Sequence, residues 1–159
     1  MRRWALLLCA LLFALLLGGC SQQAQPSGTV VEPTELFYAA DYSGVLSAET
    51  EDRIVTVNDA LFEQTGAQVV VVTVDFIGSA DIEDYAYTLF NEWGIGSAER
   101  NNGVLLLLVI GNDDYWVMTG YGLAQQEAAI VNAVYENLEP DFAVGEYDSD
   151  VNKEFEAIV

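Results

Sequence analysis

Gln68-Val69-Val70-Val71-Val72-Thr73-Val74 decides the fold of this 159-residue chain. The run is β-branched from Val69 onward and almost continuously apolar. A strand with one wet face would alternate apolar and polar residues. This one does not, so it reads as a strand buried on both faces. Just before it, Gly66 is placed to end a helix. Further back, Ile54, Val57 and Leu61 recur at helical spacing with Phe62 beside them. Ser47 is the expected N-cap. Glu49, Glu51 and Asp52 fill the first turn, where the helix dipole favours negative charge.

Forward of the run, Asp81 reads as the cap of a second helix, with Asp84 three residues on. Ile82, Tyr85, Ala86, Leu89 and Trp93 form one apolar stripe, and Gly94 stops it. Asn101-Asn102-Gly103 marks a turn, and Val104 to Ile110 (VLLLLVI) reads as a second buried strand. Gly111-Asn112-Asp113-Asp114 turns the chain, so Tyr115 to Thr119 is expected to return antiparallel. Gly120-Tyr121-Gly122 leads into a third helix with Ile130, Ala133, Val134 and Leu138 on its inner face, and Pro140 is expected to close it. Asp148 to Val159 reads as a last helix. Its pattern is still running where the sequence stops, the mark of a truncated domain or a natural short form. The fold class is therefore α/β: a mixed, mostly parallel sheet with one antiparallel hairpin strand and helices on both faces. The GxG at Gly120 lacks the third glycine and the downstream acid of a dinucleotide fingerprint, so no nucleotide is expected.

The first residues carry a different message. Arg2 and Arg3 precede an apolar run from Trp4 to Leu17, then Gly18, Gly19 and Cys20. That is the layout of a secretory signal, and it is shorter than the roughly 20 apolar residues that span a bilayer. Leu17-Gly18-Gly19-Cys20 resembles a bacterial lipobox, which implies a signal peptide over residues 1–19 and lipidation of Cys20. Each acyl CH₂ buried in lipid contributes about 0.8 kcal/mol, so more than one chain is needed for a stable anchor. Residues 20–35, with Pro26, Gly28 and Pro33, read as a flexible tether. The domain is expected over residues 36–159. The reading places it outside the cytoplasm, held to the cell membrane or outer membrane. Cys9 falls in the signal and Cys20 is spent on lipid, so no disulfide is expected in the domain.

After Cys20 the basic residues are Arg53, Arg100 and Lys153, against all 25 acidic residues, which leaves a net charge near −22. Nucleic acid is excluded as a default partner, because that binding neutralises phosphates with Lys and Arg. The chain has no His. Ser-His-Asp chemistry and His-ligated zinc are therefore out of reach. Any metal must be held by oxygen, which points to hard cations, Ca²⁺ foremost.

Several landmarks stand in order. They are Asp41-Tyr42-Ser43-Gly44-Val45-Leu46-Ser47, Thr65 to Val74, Asp84-Tyr85-Ala86, and Leu89-Phe90-Asn91-Glu92-Trp93-Gly94-Ile95-Gly96. Asn102-Gly103-Val104-Leu105-Leu106-Leu107 and Thr119-Gly120-Tyr121-Gly122 follow. As an ordered set, from about Phe37 to Val159, they resemble the TPM domain family. Its members include exported bacterial proteins and thylakoid-lumen proteins of photosystem II repair. The resemblance implies a Rossmann-like α/β/α sandwich. It also implies phosphatase activity, as proposed for plant members, and divalent-cation binding, as proposed for some members.

Ligand sites in open α/β sheets favour the carboxyl ends of strands. If a short strand ends near Asp41, that edge gathers Asp41, Asp75, Asp113 and Asp114 from three loops. These four are the expected ligands of a divalent cation, weighed against four ordinary turn aspartates. A rival anion site at the opposite pole, from Asn101, Asn102, Thr119, Gly120 and Gly122, competes with a plain glycine-built turn. The functional expectation is a membrane-anchored, cation-dependent binding, assembly or membrane-protein maintenance module with an envelope protein as partner. A metal-dependent phosphatase is the alternative.

Overall fold

The valine run is the second strand of a four-stranded sheet. The structure, a computed structural model, describes residues 29–142 and 145–159, the side chains of 137–142 excepted. In chain order the elements are β1 (Ala39–Asp41), α1 (Ala48–Thr65), β2 (Gln68–Val74) and α2 (Ile82–Trp93). They continue with β3 (Gly103–Val109), β4 (Asp114–Thr119), α3 (Glu127–Phe142) and α4 (Tyr147–Ile158). The sheet order is β1-β2-β3-β4. β1, β2 and β3 are parallel, and β4 returns antiparallel to β3. The expected α/β class, with its mostly parallel sheet and one antiparallel hairpin strand, is the observed one.

Register explains why both strands are apolar throughout. Val71 lies opposite Leu106, and Val72 opposite Leu107. Successive side chains point to opposite faces. Val70, Val72, Val74, Leu105 and Leu107 therefore pack with Tyr85, Ala86, Leu89 and Trp93 of α2. Val69, Val71, Leu106 and Leu108 pack on the other face with Ile54 of α1, Val134 of α3, and Val151 and Phe155 of α4. One buried polar side chain fixes α1 to the start of β2. Asn58 donates to the Ile54 and Val69 carbonyls at 2.9 and 2.8 Å, and its Oδ1 accepts from Val69 N–H at 2.8 Å.

The helix ends follow the sequence. Ser47 Oγ accepts from Thr50 N–H, and Gly66 ends α1 at φ 72°. Asp81 caps α2, and Gly94 ends it at φ 62°. α3 departs from expectation at both ends. A 3₁₀ turn, Tyr121–Leu123, intervenes, so the α-helix begins at Glu127, and it runs past Pro140 to Phe142. Proline forfeits one main-chain donor, and so near a helix end it costs one bond without stopping the chain. Residues 30 and 31, within the stretch expected as a tether, contact the domain. Val30 is buried, Val31 N–H donates to Tyr85 Oη at 3.2 Å, and Trp93 Nε1–H donates to Val31 O at 2.9 Å. The expected signal peptide and Cys20 lie outside the described residues.

The two crossovers differ in hand. β1 to β2 and β2 to β3 step the same way across the sheet, yet α1 covers one face and α2 the other. One of them must therefore depart from the right-handed rule that nearly all such connections obey. The consequence is local: the chain leaves β1 and β2 toward opposite faces, so the carboxyl ends of these two strands form a switch point in the sheet.

Candidate functional site

A crevice where neighbouring parallel strands send their loops to opposite faces is where open α/β sheets bind ligands. Here that switch point falls at Asp41, the last residue of β1, and Thr73 in β2, its partner in register. Thr73 is fully buried and is the one polar residue between Val69 and Val74. Its hydroxyl donates to Asp41 Oδ1 and accepts from Ser43 N–H at 3.2 Å. Asp41 Oδ2 accepts from Leu46 N–H at 2.8 Å. The carboxylate thus shapes the β1–α1 loop while keeping spare lone pairs, since an ionised carboxylate offers about four acceptor sites. Ser43 Oγ is buried and has no hydrogen-bond partner. Glu51, on the first turn of α1, is held above its ordinary pKa by burial, then by the charges of Asp41 and Asp52.

The remaining aspartates stand on neighbouring loops at the same edge. The N–H of Gly111 donates to Asp75 O at 2.9 Å, tying the loop after β2 to the turn after β3. Only glycine allows it. A Cβ at residue 111 would stand 2.6 Å from Asp75 O and 2.4 Å from the Phe76 ring. Phe76 itself is 69% exposed. Asp113 adopts φ 51°, a left-handed conformation that Asp tolerates. Its Oδ1 accepts from Tyr147 Oη at 3.4 Å, and Asp114 Oδ1 accepts from Tyr115 N–H at 2.9 Å. Burial, then the Asp113 charge, raises the Tyr147 hydroxyl pKa.

Asp41, Asp75, Asp113 and Asp114 thus all stand at the carboxyl ends of β1, β2 and β3. The donor type suits a hard cation. A single preformed cage does not fit, because among the described residues no three acidic side chains group as a metal ion requires. Asp41 ends β1 and holds the β1–α1 loop, whereas Asp113 and Asp114 belong to the hairpin. Ser43 and Thr73 were not singled out in the sequence. The signal for Thr73 was a lone hydroxyl in an apolar run.

The opposite pole is consumed by its own turn. Gly120 N–H donates to Gly103 O at 2.8 Å, and Gly122 N–H to Asn101 O at 2.9 Å. A Cβ on Gly122 would stand 1.8 Å from Arg100 O. Asn102 accepts from Ser97 N–H and donates to Thr65 O, each at 3.2 Å. These groups build a turn, and the two glycine N–H groups are not left to an anion. Nearby, Leu61, Val69, Val104, Leu123, Ile130 and Ile158 line an apolar pocket of about 320 Å³.

The TPM domain family matches residues 39–159, from the first residue of β1 through α4 to the end of the sequence. The chain belongs to the TPM domain family. Solved structures agree. The N-terminal domain of a P. gingivalis protein is 29% identical, with a TM-score of 0.68 over 76% of this chain and 78% of that one. The N-terminal domain of the cg2496 protein from Corynebacterium glutamicum, 15% identical, has a TM-score of 0.61 over 84% and 86% of the two chains. The BA42 protein from the psychrophile Bizionia argentinensis, 17% identical, has a TM-score of 0.61 over 74% and 81%. The last two speak to the fold of this TPM domain alone. Among curated proteins none matches. No helix among the described residues of the TPM domain is long and apolar enough to cross a membrane.

Proposed function

We propose that this TPM domain is an extracytoplasmic, lipid-tethered binding and assembly module that works through the carboxyl edge of its sheet, with Ca²⁺ as the cofactor that tunes that edge. An envelope protein is its partner. The observation that carries the reading is the switch point at Asp41 and Thr73, with the Asp75 loop and the Asp113–Asp114 turn on the same edge of the sheet. So acidic an edge favours cations over anionic substrates. The cation acts at the Asp113–Asp114 turn and draws its other oxygens from main-chain carbonyls and water, as Ca²⁺ commonly does.

Phosphoryl chemistry finds little support here. Arg53 pairs with Glu156, Lys153 stands 3.8 Å from Asp150, and Arg100 bonds the Thr65 carbonyl at the opposite pole. The test is a pair of melts at fixed ionic strength. Dilute Ca²⁺ raises the melting temperature where matched NaCl does not, and Asp113→Asn with Asp114→Asn removes most of the difference. A ligand that binds only the folded form stabilises it by about 2.7 kcal/mol at a hundredfold excess over Kd. An equal response in both proteins leaves diffuse screening as the explanation and sinks the cation site. Metal-dependent hydrolysis of p-nitrophenyl phosphate that copurifies with the protein and vanishes in Asp41→Ala establishes the phosphatase instead.

A further inference from the structure

α4 docks on the sheet through a stripe that is not purely apolar. Asp150, Val151, Glu154 and Phe155 are its buried residues, and both acids are completely inaccessible to water. Asp150 and Glu154 are one helical turn apart and share a face. Both carboxylate oxygens of Glu154 lack a hydrogen-bond partner. A buried, ionised carboxylate with neither donor nor counter-charge is prohibitively costly, and such a group gives up its charge instead.

The surrounding charges offer no rescue. On α4, Asp150 repels Glu154, while Lys153 is at 3.8 Å from Asp150 and half exposed. On α1, Arg53 is paired with Glu156 toward solvent, and Glu49, Asp52, Asp59 and Glu63 are acidic as well. β2 contributes no charged residue between Gln68 and Val74. On α3, Glu127 and Glu136 are exposed, and residues 137–142 contain Glu139 and Asp141 but no Lys or Arg. Arg100, the remaining basic residue after Cys20, bonds Thr65 O at the far end of α1.

α4 also reaches the carboxyl edge. Asp148 Oδ1 accepts from Ser47 N–H at 2.7 Å, Asn152 donates to Thr50 Oγ1 at 2.5 Å, and Tyr147 donates to Asp113. Docked α4 therefore holds the N-terminus of α1 on one side and the β3–β4 turn on the other.

We propose that α4 is a proton-dependent latch: it stays docked against α1 and α3 while Glu154 carries its proton, and ionisation of Glu154 releases it from the carboxyl edge. Burial, then the charge of Asp150, pushes Glu154 up to about 9, so the latch is closed at neutral pH and opens in alkali. This does not depend on the cation reading of the edge.

The test uses the whole chain with ¹³C-labelled carboxyl and methyl groups. At neutral pH the Glu154 carboxyl carbon resonates as a protonated acid. On raising the pH, the methyl signals of Val151 and Val134 shift with a midpoint near 9. Those of Val72 and Leu89, on the opposite face, stay still. Glu154→Gln, a neutral isostere, abolishes the midpoint. An ionised Glu154 carboxyl at neutral pH overturns the latch, and that readout needs no variant. An unchanged midpoint in Glu154→Gln overturns it too. If Ca²⁺ at constant ionic strength holds α4 in place in alkali in the wild type but not in Glu154→Gln, Glu154 takes a metal ion and the proton latch is wrong.

Discussion

The main-chain N–H of Ser47, the N-cap of α1, donates to Asp148 Oδ1 on the first turn of α4 at 2.7 Å, across 101 residues of sequence. A carboxylate of α4 thus serves the start of α1 at the rim of the candidate site. Burial works to raise the Asp148 pKa. Hydrogen bonds from Ser47 N–H and from the Thr50 and Ser47 hydroxyls outweigh it, and the net shift is downward.

Asp148→Asn should therefore loosen the α1–α4 junction. A charge-assisted bond at this half-exposed position contributes on the order of 1 kcal/mol after solvent screening. The folded pKa is depressed, so this contribution is present above the unfolded value and is lost as pH falls through the folded one. Denaturant titrations of wild type and variant should differ at neutral pH and converge in acid below about pH 4. A constant gap across that range would mean that the carboxylate charge is irrelevant.

Glu154→Gln should stabilise the fold, contrary to the usual cost of changing a buried residue. Unfolded Glu154 releases its proton near 4.5, whereas the folded state holds it to about 9. Between these values the folded state binds the extra proton, so wild-type stability declines as pH rises through that window. The glutamine variant has no proton to lose. Its urea midpoint should exceed that of wild type increasingly from neutral to alkaline pH. Equal midpoints in alkali would show that Glu154 is solvated or paired when folded.

Thr73→Val keeps the shape of the side chain and removes the hydroxyl that joins Asp41 to Ser43 N–H. The loss leaves two partners short of a bond and should cost about 1–2 kcal/mol. The chemical shifts of residues 42–46 should move while the α2 face stays put. A variant as stable as wild type would show that water replaces the hydroxyl freely, and the Asp41–Thr73 junction would then be looser than its burial indicates.

Cys20→Ala should release the protein from membranes, since Leu17-Gly18-Gly19-Cys20 follows an apolar run too short to span. Fractionation of cells after a high-salt wash reads this directly. A variant that remains in the membrane fraction removes the lipid tether from the proposed function.

Much of the architecture was legible because it rests on local rules. Ser47, Gly66, Asp81 and Gly94 act where their chemistry predicts: side-chain oxygens satisfy the first helical N–H groups, and glycine adopts the left-handed end. The candidate site was legible only in outline. Asp41, Asp75, Asp113 and Asp114 end strands or begin turns, so their common edge follows from strand direction. That they form no cage does not follow, because side-chain convergence depends on loop paths that no periodicity records. Pro140 misled for a related reason. Its local penalty is real, and helix α3 nevertheless continues to Phe142.

By itself the sequence determined the two buried strands, their flanking helices, the acidic character and the absence of histidine chemistry. These depend on residue type and on spacings of two or about 3.6 residues. Only the tertiary structure decided that α1 and α2 lie on opposite faces, with a switch point at Asp41 and Thr73. It alone decided that Asp150 and Glu154 face inward. On a helical wheel they sit beside Val151 and Phe155 and could as well border solvent. Packing of α4 against α1 and α3 turned that border inward, and burial made Glu154 the proton-sensitive group of that joint.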